Sequence, residues 1–171
     1  MQGVGEFHKV SFGQFLQDAQ KTGFMDDDID TQLIKMAWEG IKLPTRATNG
    51  SAGYDFVTPF HFVLKKGKEI IIPTGIRIEL EPGWFLSLVP RSGLGFKHGL
   101  RLMNTLGIID SDYFHADNEG HIMAKITVEK DIYLEAGDRF IQGIILPHGT
   151  TNSDSTLGLD RKGGFGSTGG N

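Results

Sequence analysis

The sequence predicts an all-β domain, a barrel or jelly roll, with a short N-terminal helical extension over residues 1–42 and a mobile Gly-rich C-terminal arm over 148–171. Three observations carry that prediction. Between Leu43 and Pro147, short apolar or alternating runs are separated by glycine and proline turns, as in a chain of many short strands. Before that region apolar residues recur at helical spacing. After it, glycine, serine, threonine and aspartate dominate, and few apolar residues remain to build a core.

The first helix opens at Ser11. Phe12, Phe15, Leu16 and Ala19 share one face, Gln14 stands three residues after Ser11 as in a capping box, and Gly23 follows Lys21 as a stop. The run Asp26-Asp27-Asp28 suits the start of a second helix, whose apolar face is Leu33, Ile34, Ala37, Trp38 and Ile41. These aspartates read as a solvated turn, because oxygen-ligand metal sites need spaced ligands. Strands follow: Glu69 to Ile72, the alternating Ile76 to Leu80, a turn at Glu81-Pro82-Gly83, and Trp84 to Val89. Further strands are expected over Lys125 to Val128, Ile132 to Leu134 and Phe140 to Leu146, with a turn at Glu135 to Asp138.

At 171 residues the chain has room for one domain with a real core. It contains no cysteine, which excludes disulfides and thiolate metal sites. The net charge of -4, with both signs dispersed, offers no footprint for nucleic acid or an anionic membrane. With no apolar run approaching a membrane span and no signal-like N-terminus, a cytoplasmic protein is expected. The six histidines show no i, i+4 pairing, which argues against a histidine metal site.

Four stretches look chemical. Gly107-Ile108-Ile109-Asp110-Ser111-Asp112-Tyr113 places a carboxylate where a buried hairpin meets solvent. Asp110 could there accept a proton from water, with Tyr113 as a flat pocket wall. Read alone, the same run is better explained as an Asx turn closing a hairpin. Pro90-Arg91-Ser92-Gly93-Leu94-Gly95 follows an apolar strand and could present N–H groups, a hydroxyl and a guanidinium to phosphate, or be a surface turn. Ala52-Gly53-Tyr54-Asp55 adds a carboxylate, and Gln142 is the one amide in an apolar strand. The tail Arg161-Lys162-Gly163-Gly164-Phe165-Gly166-Ser167-Thr168-Gly169 joins cations, glycines, hydroxyls and one aromatic, a set able to wrap a polyphosphate and stack on a base.

In order, these pieces resemble the five motifs of the trimeric deoxyuridine triphosphatase (dUTPase) family: Ala52 to Asp55, Pro90 to Gly93, Asn104 to Tyr113, Gly137-Asp138-Arg139 with Gln142, and the tail from Gly164 to Gly169. The resemblance covers residues 43 to 171. It implies a jelly-roll-like homotrimer with shared active sites that converts dUTP and water to dUMP and pyrophosphate, with Mg²⁺ on the triphosphate. It assigns Asp110 the role of base. Tyr113 would lie under deoxyribose, while Asn104 and backbone groups of the turn from Gly107 through Ile109 to Asp110 would read uracil. Arg91, Ser92, Gly93 and Gln142 would hold phosphates, and Asp55 would orient the metal through water. Phe165 and Gly166 would cover uracil, while Arg161, Ser167 and Thr168, with Lys162 sharing, would meet the terminal phosphate. Two features depart from the pattern. An insertion, Phe114 to Glu119, follows Tyr113 and would reshape the ribose side, and Arg161 lies four residues before Phe165 where the family has five; residues 1–41, besides, have no counterpart. That segment would pack on the outside of the trimer or hold a regulatory protein partner.

Overall fold

The computed structural model describes residues 3–23 and 30–155, so the Asp26 to Asp28 run and the tail motif from Arg161 to Gly169 lie outside the described residues. The chain opens with a strand that periodicity did not reveal, β1 (Gly5–Lys9), followed by helices α1 (Phe12–Lys21) and α2 (Thr31–Gly40). Strands β2 (Thr45–Arg46), β3 (Tyr54–Val57), β4 (Phe62–Leu64), β5 (Glu69–Pro73), β6 (Ile76–Leu80) and β7 (Trp84–Pro90) come next. Helix α3 (Ser92–His98), β8 (Arg101–Leu102), β9 (Gly107–Asp110) and a 3-10 helix (Ser111–His115) precede β10 (Met123–Thr127), β11 (Ile132–Leu134) and β12 (Arg139–Pro147).

Among the described residues these strands form four sheets, in the orders β1-β6, β5-β10-β8, β11-β4 and β2-β3-β12-β7-β9. All pairings are antiparallel and wrap one core in a jelly-roll-like manner. The reason is patterning. In β7 the buried Leu86 and Leu88 alternate with half-buried Phe85 and Val89, so one face of the five-stranded sheet turns inward onto Phe56, Ile109 and Ile141. Each such side chain contributes about 1.5–3 kcal/mol by leaving water. Close packing also dictates glycine at Gly143, where a Cβ would stand 2.8 Å from Leu86 and 3.0 Å from Phe56.

The N-terminal segment is part of this body. Strand β1 pairs with β6, from Gly5 opposite Leu80 to Lys9 opposite Ile76, and Phe7 meets Phe56 edge-on at 5.7 Å. Ser11 caps α1 as expected, its hydroxyl accepting from the Gln14 N–H at 3.1 Å. The reciprocal half of the capping box is different. Gln14 turns to Asp18, and the Ser11 N–H donates instead to the Glu119 carboxylate at 2.7 Å, across 108 residues of sequence. Helix α1 ends with Thr22 as its C-cap and Gly23 in the left-handed region. On α2, Ile34 is buried and Ile41, its C-cap, is buried too, whereas Leu33 is 57% exposed, so the expected apolar face is only partly covered. No helix among the described residues is long and apolar enough to cross a membrane.

Candidate active site

One ladder of the five-stranded sheet collects polar groups. Asp55 on β3 lies opposite Gln142 on β12, which lies opposite Val89 on β7, so all three share the outer face. The Asp55 carboxylate is 10% exposed and joins two guanidiniums: Oδ1 meets Arg91 Nε at 2.9 Å and Oδ2 meets Arg139 Nη1 at 3.2 Å. Gln142 Nε2 donates to the Pro90 carbonyl at 3.4 Å, and a Cβ on Gly53 would stand 2.3 Å from Gln142 Oε1. Glycine at 53 therefore leaves the room this amide occupies. Arg139 is delivered by a tight turn: Gly137 adopts φ +90°, and the Asp138 side chain accepts from the Glu135 N–H at 2.9 Å.

The stretch Pro90 to Gly95 departs from the expected glycine turn. Ser92 begins α3 with Arg91 as its N-cap, and both Ser92 and Gly93 are exposed beside the Asp55 pair. The helix stops at Gly99, left-handed at φ +64°.

The second cluster lies on β9. Gly107 to Asp110 is a strand rather than a turn, pairing with β7 from Leu88 opposite Gly107 to Phe85 opposite Asp110. The strands flanking the connection 103–106 do not form a hairpin with each other, because β8 pairs with β10 and β9 with β7. Asn104 sits exposed in that connection, its carbonyl accepting from the Leu106 N–H at 2.6 Å, and Thr105 is left-handed at φ +64°. Strand β9 is the outer edge of its sheet, so its backbone groups on that side can pair with a planar ligand as a further strand would. The Ile109 side chain, 4% exposed, points into the core, which leaves only its backbone for a ligand. Gly107 is required by packing: a Cβ there would approach Leu88 Cβ to 2.9 Å.

Asp110 ends β9, half-buried, at the N-terminal edge of the 3-10 helix. Tyr113, expected as a flat pocket wall, is 2% exposed: its hydroxyl donates to the His121 carbonyl at 2.9 Å and accepts from Asn118 Nδ2 at 2.8 Å. It underlies the Asp110 turn as a floor. Asn118 of the inserted segment and the His121 carbonyl beyond it satisfy the buried hydroxyl there.

The dUTPase profile matches residues 39–169, most of the chain. The chain belongs to the dUTPase family. The deoxyuridine 5'-triphosphate nucleotidohydrolase of Lactococcus lactis is 37% identical over 134 residues, covering 76% of this chain and 89% of that protein. Its counterpart in Hahella chejuensis is 39% identical over 149 residues, covering 80% and 93%. The crystal structure of the dUTPase from Streptococcus mutans superposes with a TM-score of 0.61 at 30% identity, covering 86% of this chain and 98% of that one. As in any dUTPase-family chain, the motifs must be judged by what they hold together. Here Arg91, Gln142 and Asp55 converge, Gly107, Ile109, Asp110 and Tyr113 form a second group, and Arg139 joins the first as a residue sequence reasoning left without a role. Its place beside Gly137 and Asp138 in the fourth motif was the available signal.

Proposed function

We propose that this dUTPase-family protein hydrolyses dUTP to dUMP and pyrophosphate, keeping uracil out of DNA and supplying dUMP for thymidylate synthesis. The observation that carries the reading is the placement of two charged clusters on one sheet face. Asp110 pairs with Phe85 from one side of β7, and Gln142 pairs with Val89 from the other side four residues further along, so the clusters are offset by about 13 Å along the strand at ~3.3 Å per residue and by two strand spacings of ~4.8 Å across it. One chain cannot put both against the same phosphorus. Between them, the outer face carries Phe85, Val89, Ile144, Ile108 at 44% exposure and Leu146 at 39%. This apolar strip suits a second copy of the chain. Three copies sharing three sites then bring Asp110 of one beside Arg91 and Gln142 of the next.

In that site Asp110 accepts a proton from water. The water oxygen bonds to the α-phosphorus, the bond to the bridging oxygen breaks, and pyrophosphate leaves. Arg91, the Ser92 hydroxyl, the Gly93 N–H and Gln142 neutralise and align the phosphates, with Arg139 held nearby by Asp55. Asn104 and the outer edge of β9 read uracil, and Tyr113 supports the sugar side from below. The arm over 148–171 closes the site, with Phe165 and Gly166 on uracil and Arg161, Lys162, Ser167 and Thr168 on the terminal phosphate.

Mg²⁺ fits this donor set only through water. No cluster of three or more metal-ligating side chains occurs among the described residues, and each Asp55 oxygen already faces a guanidinium. A carboxylate has about four lone-pair sites, so Asp55 retains acceptors for the waters of a hydrated Mg²⁺ carried by the triphosphate. Bound there, Mg²⁺ would supply neutralisation of the phosphate charge. The deciding experiment measures pyrophosphate release from dUTP, dTTP, dCTP and UTP, each with Mg²⁺ and with chelator. Fast, metal-dependent release confined to dUTP is expected; ammonia from dCTP, or binding without release, would overturn the assignment.

A further inference from the structure

The insertion after Tyr113 and the N-terminal segment, which the dUTPase motifs leave without a role, hold each other and converge on one phenol. Asn118 is the point of convergence. Its Oδ1 accepts from the Gly120 N–H at 3.2 Å, which aims Nδ2 at the Tyr113 hydroxyl, 2.8 Å away. The hydroxyl spends its own proton on the His121 carbonyl, so this phenol is saturated from both sides.

Backbone geometry shows that the loop was built to reach that spot. Glu119 and Gly120 are both left-handed, at φ +57° and +69°, and a Cβ at 120 would stand 2.6 Å from the Tyr113 carbonyl and 2.8 Å from Phe114 Cα. A non-glycine residue such as Glu119 adopts this conformation only when its surroundings hold it there. What holds it is the start of α1: both Glu119 carboxylate oxygens are engaged, one by the Ser11 hydroxyl at 2.6 Å and one by its N–H at 2.7 Å. A second tie follows two residues on. The fully buried His121 accepts from the Gly75 N–H at Nε2 (2.8 Å), so Nδ1 carries the proton and donates to Asp18 of α1 at 2.7 Å. A third runs through Arg77, which stacks on Phe114 at 3.6 Å and donates to its carbonyl at 2.6 Å.

From this arrangement, and resting on the dUTPase reading above, we propose that Asn118 is a positioning residue. By donating to the Tyr113 hydroxyl it locks the 3-10 helix that follows directly on Asp110, and the Ser11–Glu119 and Asp18–His121 ties make the N-terminal segment the clamp that holds Asn118 in register. The base and the floor of the sugar site are thus set by a segment outside the dUTPase core.

The test is Asn118→Asp, which keeps the acceptor for Gly120 and removes the donor to Tyr113, with Ser11→Ala as a remote probe of the same lock. Amide hydrogen exchange should accelerate about tenfold or more over residues 111–116 while β7 and β12 stay protected. Because a misplaced base costs rate steeply, kcat/KM for dUTP should fall about tenfold, the preference for dUTP over UTP should narrow, and Tm should move by only about a few degrees. Ser11→Ala should shift the same readouts in the same direction and carries the test alone if Asn118→Asp does not fold. Unchanged exchange over 111–116, an unchanged preference, or exchange raised uniformly with a large loss of Tm would overturn the proposal. Wild-type protein that releases no pyrophosphate from dUTP would sink the functional reading, and the exchange comparison would still decide the lock.

Discussion

At the scale of single residues, Asp110 and Arg139 separate chemistry from alignment. Asp110→Asn removes the base without emptying the site, so turnover of dUTP should fall by about 10²–10⁴ while the affinity for dUTP stays near wild type. Stopped turnover together with lost affinity would instead make Asp110 a binding residue. Arg139→Ala leaves the Arg91–Asp55 pair in place. The lost contact is half exposed, so stability should change by less than about 1 kcal/mol, whereas KM for dUTP should rise severalfold as one guanidinium leaves the phosphates. Arg91, Gln142 and Asp110 could be singled out in the sequence because they fall in segments that resemble the family's motifs. Arg139 and Asn118 were not, since each acquires its role from a partner 84 or 5 residues away, Asp55 or Tyr113, that only the fold identifies. The burial of Tyr113 was equally hidden: nothing local says that a hydroxyl will find two partners inside the protein.

Among the elements, the N-terminal segment is fastened by two carboxylates, which makes its attachment sensitive to acid. Burial pushes both upward, but hydrogen bonds from Ser11 with the nearby Arg77 leave Glu119 below the ordinary range. Asp18 is likewise lowered, by His121, Gln14 and Lys21. A depressed carboxylate adds stability that is complete above its unfolded pKa of about 4 and is lost as pH falls through the folded value. Urea unfolding should therefore show wild type losing stability steeply below about pH 4.5, and Glu119→Gln, weaker at pH 7, losing less over the same interval. Equal slopes for the two proteins would remove Glu119 from the clamp. Strand β9 depends on packing instead. Gly107→Ala should cost about 1–3 kcal/mol, because the new methyl meets Leu88 Cβ at 2.9 Å and neither backbone can yield within the β7 ladder. Alternation over Ile76 to Leu80 made β6 legible, and the apolar run from Phe140 to Leu146 made β12 legible. Strands as short as β2, β4 and β8 carry too few residues to show a period, and β1 reads as polar because only one of its faces meets the core.

At the scale of the whole molecule, the separation of Asp110 from the Asp55–Arg91–Gln142 cluster makes a quantitative prediction about assembly. If each site takes its base from one copy and its phosphate ligands from the next, then Asp110→Asn and Arg91→Ala are both inactive alone yet complement each other when mixed. In an equal mixture refolded together, a given boundary joins an intact Asp110 to an intact Arg91 about one time in four, so roughly a quarter of wild-type activity should return. Sites confined to single chains would return none, however the copies assemble. The clamp adds a second expectation to the same mixture. Ser11→Ala combined in one chain with Arg91→Ala should lower the recovered activity, because that chain donates the working Asp110, whereas Ser11→Ala combined with Asp110→Asn should leave recovery unchanged. An effect that ignored which chain carried Ser11→Ala would show that the N-terminal segment stabilises the assembly at large rather than the turn that presents the base.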